Sequence, residues 1–477
     1  MRIFDTLTQE LKYKVLKETA RLAFEGKLAE SYYAIPKLIV PDSTQAMRCC
    51  IYKDRAIVQE MVRSVIGEPK NHDAVLDVLD IACDECPIER YTVSEGCRGC
   101  ISHKCVQSCP VGAVHIGRNK KAFIDIDKCI ECGKCFKACP YNAIRENVRP
   151  CVRACKINAI KVDKDKKAVI DHEKCVSCGA CMTKCPFGAI QDRSFILDVI
   201  NMLVDSKNNT EFKVYAMVAP SIGSQFNYAS IEQIVTAMKN LGFYAVTEVA
   251  IGADITAYKD AVELNHKGAL MSSCCPSFVS YVRKAHPKLA EYISENPSPM
   301  VEAGKLIKQK DPNSKVVFIG PCTSKKFEFT QDIAKDYVDS VITFEELQAL
   351  IDSRDICVEN LEGTPIESAS YFGRVFARAG GVTEAVLNVI KEENLDITPQ
   401  VVQADGLDNI KINMLKNAKG LPKGMFIEGM ACNGGCINGA GCVNHDARNV
   451  KEINAYSSKA PNENVMPIVK KNMGLDK

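Results

Sequence analysis

The amino-acid sequence predicts a helical preface over residues 1–80, a cysteine-rich α+β repeat over 81–193 and an α/β domain over 194–477. Three observations carry that division. Of 25 cysteines in 477 residues, sixteen lie from Cys83 to Cys185 and only seven in the remainder of the chain beyond them. Four segments of the crowded region end alike, QSCPVGAV, KACPYNAI, RACKINAI and TKCPFGAI, their cysteines 109, 139, 155 and 185 stepping by 30, 16 and 30. That is two copies of a two-half unit. Further on, short β-branched runs alternate with amphipathic stretches, the pattern of an α/β fold.

In the preface, LTQELKYKVLKETARLAF spaces its apolar residues as a helix does, and Cys49 and Cys50 are its only cysteines. Composition narrows the classes of function. The 61 basic and 59 acidic side chains leave a net charge of +2, so no overall electrostatic footprint for nucleic acid exists. No run of about 18 apolar residues occurs, so no membrane span is expected. The chain starts MRIFDTLTQE, without a signal peptide. A cytoplasmic, reducing location is therefore expected, where cysteines hold metal rather than form disulfides.

Within the repeat, Cys129, Cys132, Cys135 and Cys139-Pro140 fit C-x2-C-x2-C-x3-C-P, as do Cys175, Cys178, Cys181 and Cys185-Pro186. This is the bacterial ferredoxin spacing, in which three close thiolates hold one [4Fe-4S] cube and the fourth ligates the partner cube. The first unit should then pair Cys97, Cys100, Cys105 and Cys139 as one cluster, and Cys129, Cys132, Cys135 and Cys109 as the other. In the second unit Cys155 completes the set of Cys175, Cys178 and Cys181. No C-x2-C directly precedes Cys151. Cys151 and Cys185 are left with a spare upstream pair, Cys83 and Cys86, as a candidate fourth set; the alternative is a degenerate half-site with free thiols. Structural zinc joins two separated pairs and accounts poorly for the triple runs. Clusters in series imply electron transfer.

In the α/β part, KVYAMVAPS, YAVTEVAIG, KVVFIGP and GMFIEGM read as strands, and SIEQIVTAMKNLGF and FEELQALIDS as helices. Cys274 and Cys275 follow GALMSS, Cys322 follows KVVFIGP, and Cys432 and Cys436 follow GMFIEGMA. Open α/β sheets gather ligands at strand carboxyl ends, so three motifs can converge on one site. The G-x-G-x-x-G fingerprint is absent, which argues against a nicotinamide or flavin site.

MSSCCPSF (271–278), GPCTSKKFE (320–328) and EGMACNGGCING (428–439) closely resemble the three signature motifs of [FeFe]-hydrogenases. The resemblance extends to VAPS at 218–221, to ARAGGVTEA at 377–385 and to the ferredoxin array upstream. It implies that Cys275, Cys322, Cys432 and Cys436 hold a [4Fe-4S] cube, with Cys436 also bridging to a two-iron unit that carries CO, cyanide and a bridging azadithiolate. Together these form the H-cluster. It implies further that Lys325 donates to one cyanide, that Ala219, Pro220 and Ser221 line the other, and that Met430 lies near the bridging carbonyl. Cys274 is the expected proton-relay thiol, continued by Asp260, Ser294 and Glu263. Lys326, the other lysine of the run, reads as solvated. Asp260 is one methylene shorter than the family's glutamate. Gly320, Phe278 and Met300 replace a methionine, a tryptophan and a glutamine, which points to a divergent, group B-like branch.

The fold class implied is an α/β catalytic domain of two lobes with the cofactor at strand ends between them, preceded by tandem bacterial ferredoxin-like α+β modules and a helical N-terminal segment. The function implied is the reversible conversion of two protons and two electrons to H2, with three or four additional [4Fe-4S] clusters relaying electrons to or from a ferredoxin-like carrier. Maturation enzymes would supply the two-iron unit. The alternatives are an H2-sensing or regulatory homologue with low turnover, and an iron-sulfur assembly protein lacking the two-iron unit. Cys49, Cys50, Cys357 and Cys442 receive no role.

Overall fold

The computed structural model describes residues 4–67, 74–87, 89–366 and 369–475. Two long helices dominate the preface. Leu7–Phe24 starts at Thr6, whose hydroxyl accepts the Gln9 N–H at 3.2 Å, and it buries a face of Val15, Leu16, Thr19 and Ala20. This is ordinary N-capping of an amphipathic helix. Ile51–Val65 buries Ile57, Val58, Met61 and Val62 in the same way.

Among the described residues eight three-residue strands follow: β1 (Leu76–Val78), β2 (Tyr91–Val93), β3 (Val114–Ile116), β4 (Ala122–Ile124), β5 (Ile144–Glu146), β6 (Ile160–Val162), β7 (Ala168–Ile170) and β8 (Ile190–Asp192). They form antiparallel pairs β2–β5 and β3–β4 in the first module, and β1–β8 and β6–β7 in the second. The two modules are not simply consecutive. β1, expected within the helical preface, is the front strand of the second module, so the whole first module lies between that strand and the rest of its own module. Equivalent contacts mark the equivalence. Val93 pairs with Ile144 and Val78 with Ile190; Ser94 N donates to Ala143 O and Leu79 N to Ala189 O, both at 2.7 Å.

Among the described residues seven strands build the α/β part: β9 (Val214–Val218), β10 (Ala245–Glu248), β11 (Leu270–Met271), β12 (Lys315–Gly320), β13 (Ser340–Thr343), β14 (Gln400–Asp405) and β15 (Met425–Met430). They divide into two parallel sheets, ordered β10-β9-β12-β13 and β11-β15-β14. Parallel strands need crossover connections; Ile231–Asn240 supplies the one from β9 to β10, and Phe344–Ser353 follows β13. Ser230 with Gln233 and Thr343 with Glu346 form reciprocal capping boxes at the starts of Ile231–Asn240 and Phe344–Ser353. All six residues of β15 are buried, as a strand covered on both faces requires. Among the described residues no helix is long and apolar enough to cross a membrane.

A buried ion cluster ties the three parts together. Lys12 Nζ, on the first helix, lies 2.6 Å from both Asp192 of β8 and Glu345; Lys326 Nζ lies 2.7 Å from Asp192 and Glu346. Lys326 is therefore not the solvated lysine the SKK run suggests. Its side chain is wholly buried, because acidic residues distant in sequence enclose its ammonium.

Candidate active site and cluster ligands

The cysteine motifs of the α/β part stand at strand carboxyl ends. Cys322 follows β12 in one sheet, while Cys275 follows β11 and Cys432 follows β15 in the other. Cys275 lies within Coulombic reach of Cys322, Cys436 of both, and Cys432 of all three. Burial pushes the thiols of Cys275, Cys432 and Cys436 up, so bare thiols here stay protonated and a bound metal would displace the protons. Gly435 adopts φ +94°, and a Cβ there would meet Ala379 N at 2.6 Å. Only glycine lets the turn between Cys432 and Cys436 approach this backbone.

Glu428 of β15 fixes the ARAGG segment beside that turn. Its carboxylate accepts from Gly380 N at 2.7 Å, Thr383 N at 2.9 Å and the Thr383 hydroxyl at 2.7 Å. An acid at the start of Gly381–Glu392 is also favoured by the helix dipole. Gly320, where a methionine is expected, is explained by its neighbour: a Cβ there would meet the Phe318 ring at 2.5 Å. Phe278 is likewise fully buried, and its ring leaves no room for a side chain at Gly429. Met300 is fully buried too, and Met430 packs in the same apolar cluster as Cys274.

Two polar groups that the resemblance assigns to a two-iron unit, Ser221 and Lys325, are buried. Ser221, one residue beyond Ala219-Pro220, is fully buried, and its hydroxyl has no partner among the described residues. An unsatisfied buried hydroxyl costs about 1–3 kcal/mol, so the site suits a group offering acceptors. Lys325 is buried, lies within Coulombic reach of Cys322 and Cys274, and donates to Glu328 at 2.5 Å. Soft thiolates, an orphaned hydroxyl and a buried ammonium fit an anionic iron cofactor.

The three residues assigned to the proton route do meet. Ser294 Oγ lies 2.6 Å from Asp260 Oδ1 and 2.9 Å from Glu263 Oε2. Asp260 is fully buried. Burial pushes its carboxyl up to about 7, opposed by hydrogen bonds from Ser294 and Asn296, while its Oδ2 has no partner among the described residues. This network is coupled to the cysteine loop through the backbone. Ser294 N donates to Met271 O at 2.8 Å, and the Ser273 hydroxyl donates to Asn296 O at 2.7 Å, which sets the segment beside Cys274.

Upstream, the thiols gather in fours around small cavities. Cys97, Cys100, Cys105 and Cys139 line one; Cys155, Cys175, Cys178 and Cys181 line another. Cys135 lies within reach of Cys129, Cys132 and Cys109, and Cys151 within reach of Cys83, Cys86 and Cys185. The Cys175–Cys181 loop docks on the α/β part. The Ser277 hydroxyl donates to Val176 O at 2.9 Å, the Thr323 hydroxyl to Ser177 O at 2.7 Å, and Cys178 lies within reach of Cys275.

Residues 212–440 match the family described as iron only hydrogenase large subunit, C-terminal domain; residues 96–143 match a 4Fe-4S dicluster domain and 128–187 a 4Fe-4S double cluster binding domain. Iron hydrogenase 1 of Clostridium pasteurianum is 30% identical over 396 residues, spanning 72% of this chain and 68% of that protein. The chain belongs to the iron-only hydrogenase family. The periplasmic [Fe] hydrogenase large subunit of Nitratidesulfovibrio vulgaris is 27% identical over 308 residues, 52% of this chain and 72% of its own. The cytosolic Fe-S cluster assembly factor NAR1 of Botryotinia fuckeliana is 27% identical over 289 residues, 42% of this chain and 50% of its own. A solved [FeFe]-hydrogenase structure superposes with a TM-score of 0.50 at 21% identity, covering 60% of this chain and 94% of that one, a likeness of fold.

Three residues that sequence reading passed over belong to this hydrogenase-family site. Glu428 was hidden inside an apolar strand, where a lone acid in GMFIEGM was its only signal. Asn296 donates from one amide nitrogen to Asp260 at 2.9 Å and Glu263 at 2.8 Å, and lies 3.0 Å from Ser294 Oγ. Lys267 lies 2.7 Å from both Glu263 and Glu295, and its place four residues after Glu263 on one helix was a legible signal.

Proposed function

We propose that this chain is an [FeFe]-hydrogenase catalysing 2H+ + 2e− ⇌ H2, with electrons relayed through [4Fe-4S] clusters to or from a ferredoxin-like carrier. One observation carries the reading: the loop of Cys274, beside the four-cysteine site, is tied through the Ser273 hydroxyl and Asn296 O to a hydrogen-bonded group of Asp260, Ser294 and Glu263 that ends at Lys267. Electron transfer alone would need no such path.

Cys275, Cys322, Cys432 and Cys436 would hold the H-cluster, seated by Ala219, Pro220, Ser221, Lys325 and Met430. When bound, that group supplies the redox and H–H bond chemistry. Lys325 and Ser221 would offset its anionic ligands, and Cys274 would carry protons across the cavity wall. Asp260, held near 7 by burial, both takes up and releases a proton near neutrality, as a relay group must. Ser294 has one hydroxyl proton and two carboxylates in range, so donation can alternate between Asp260 and Glu263. Glu263 and Lys267 complete the route outward.

Electrons would travel through Cys97, Cys100, Cys105 and Cys139; Cys129, Cys132, Cys135 and Cys109; and Cys155, Cys175, Cys178 and Cys181, the last set nearest the catalytic cysteines. Gly320, Phe278 and Met300 support a divergent, group B-like branch, and the reducing thiol chemistry supports a cytoplasmic location. The test is expression with the maturation enzymes under anaerobic conditions, followed by infrared spectroscopy and hydrogen assay with a reduced dye. CO and cyanide bands without turnover would favour a sensor. Their absence would favour an assembly role, the reading that kinship with NAR1 keeps in view.

A further inference from the structure

We propose that Cys83, Cys86, Cys151 and Cys185 form a complete additional [4Fe-4S] site, assembled by the nesting of one module within the other, with Arg149 as its tuning cation. This rests on the reading of the chain as an electron relay. The residues of the first module recur 46 positions later in the second, as Cys109 does in Cys155 and Cys139 in Cys185. By that count Cys97 and Cys100 would fall on Ala143 and Glu146, and the site would be broken. The fold repairs it from upstream.

Three relationships place Cys83 where Cys97 stands. The N–H of Ala122, at the start of β4, donates to Cys97 Sγ at 3.4 Å; the N–H of Ala168, at the start of β7, donates to Cys83 Sγ at 3.3 Å. The strand before each cysteine pairs with an equivalent partner, β2 with β5 and β1 with β8. The fourth ligands match as well: Ala143 N donates to Cys139 Sγ at 3.4 Å and Ala189 N to Cys185 Sγ at 3.3 Å. Such N–H donors stabilise thiolate ligands and tune a cluster. Cys83, Cys151 and Cys185 are all buried in one apolar cluster, whereas a degenerate pair left over from a lost site would have no reason to be gathered there.

The position follows from the nesting. The chain leaves for the first module just after Cys86 and returns just before Cys151, with Tyr91 five positions after Cys86 and Cys151 five positions after Glu146. Each is at most about 18 Å of extended chain, and Tyr91 and Glu146 are themselves paired. Both crossings between the modules therefore flank this site. On its other side Cys151 lies within reach of Cys181, a ligand of the set nearest the catalytic cysteines. The site is a one-electron step between the first module and that set: an electron taken up from one side passes to the other, with no net chemistry on the protein. Arg149 is buried, and its Nη1 lies 3.8 Å from Cys83 Sγ. A fixed cation there favours the reduced, more negative cluster.

The full chain is reconstituted with iron and sulfide but without the two-iron unit, so the result is independent of hydrogen turnover. Replacing Cys83 and Cys86 by serine should remove about four iron atoms per chain, Cys151→Ser should remove the same number, and the combined variant no more. The EPR spectrum of the reduced set containing Cys181 should lose its spin-coupling broadening. Unchanged iron in these variants, or losses that add when they are combined, would overturn the site. Arg149→Gln retains every thiol and should keep full iron while moving one redox couple to lower potential; couples that all stay in place would overturn the role of the arginine.

Discussion

Ser294 brings its hydroxyl to 2.6 Å from the carboxylate of Asp260, within a polar network that joins the segment beside the Cys274–Cys275 loop to the helix Ala250–Lys267. Removing that hydroxyl should interrupt the route without disturbing the cofactor. Ser294→Ala and Asp260→Asn should each lower turnover about 100-fold or more, the usual scale for a lost proton-transfer group, with infrared bands unchanged. Turnover within twofold of the parent would remove both residues from the route.

The same carboxyl predicts a pH dependence. Asp260 is pushed up to about 7, so it is protonated below that pH and ionised above it. Hydrogen evolution should fall as pH rises through about 7, and Asp260→Asn should lose that inflection. Asn296 donates to the ionised form and so opposes the upward push. Asn296→Ala should move the inflection to higher pH, which a pH–rate profile reads directly.

Lys326 and Lys12 hold Asp192, Glu345 and Glu346 within a buried cluster. Removing one member of such a cluster leaves an uncompensated charge and costs about 3–5 kcal/mol. Lys326→Met should therefore lower the anaerobic thermal midpoint by several degrees. The two lysines hold the Asp192 carboxyl below the usual range against burial. Its stabilisation is present above the ordinary carboxyl pKa of about 3.9 and is lost as pH falls through the depressed value, so acid should narrow the difference between variant and parent.

Asp254 behaves in the opposite sense. Burial pushes it up to about 8, despite hydrogen bonds from the Ser370 hydroxyl and N–H. The folded chain thus holds a proton that the unfolded chain releases, and this contribution is complete below about 3.9 and lost as pH rises to about 8. Asp254→Asn should flatten the decline in thermal midpoint between pH 5 and 8. A parallel decline in both proteins would contradict the assignment.

Much of this molecule could be read from its sequence. β9, β12 and β15 are largely buried apolar runs and β10 a half-buried one, and the cysteine motifs follow three of the strands as ligand sites do in α/β sheets. β1 escaped because three residues carry no periodicity, and its partner β8 lies beyond an entire inserted module. β14, largely exposed at its start, lacks the apolar run that marks a buried strand. Lys326 could not be placed because its acidic partners are distant in sequence. Asn296 was invisible for a related reason: its role exists only where the 293–296 segment runs beside β11 and faces a separate helix.

The most direct test of the account is the infrared spectrum and hydrogen turnover of the chain matured anaerobically, alongside Cys274→Ala. The account predicts CO and cyanide bands in both proteins, with hydrogen evolution from the parent and a strong loss in the variant. A matured chain with no such bands would contradict it.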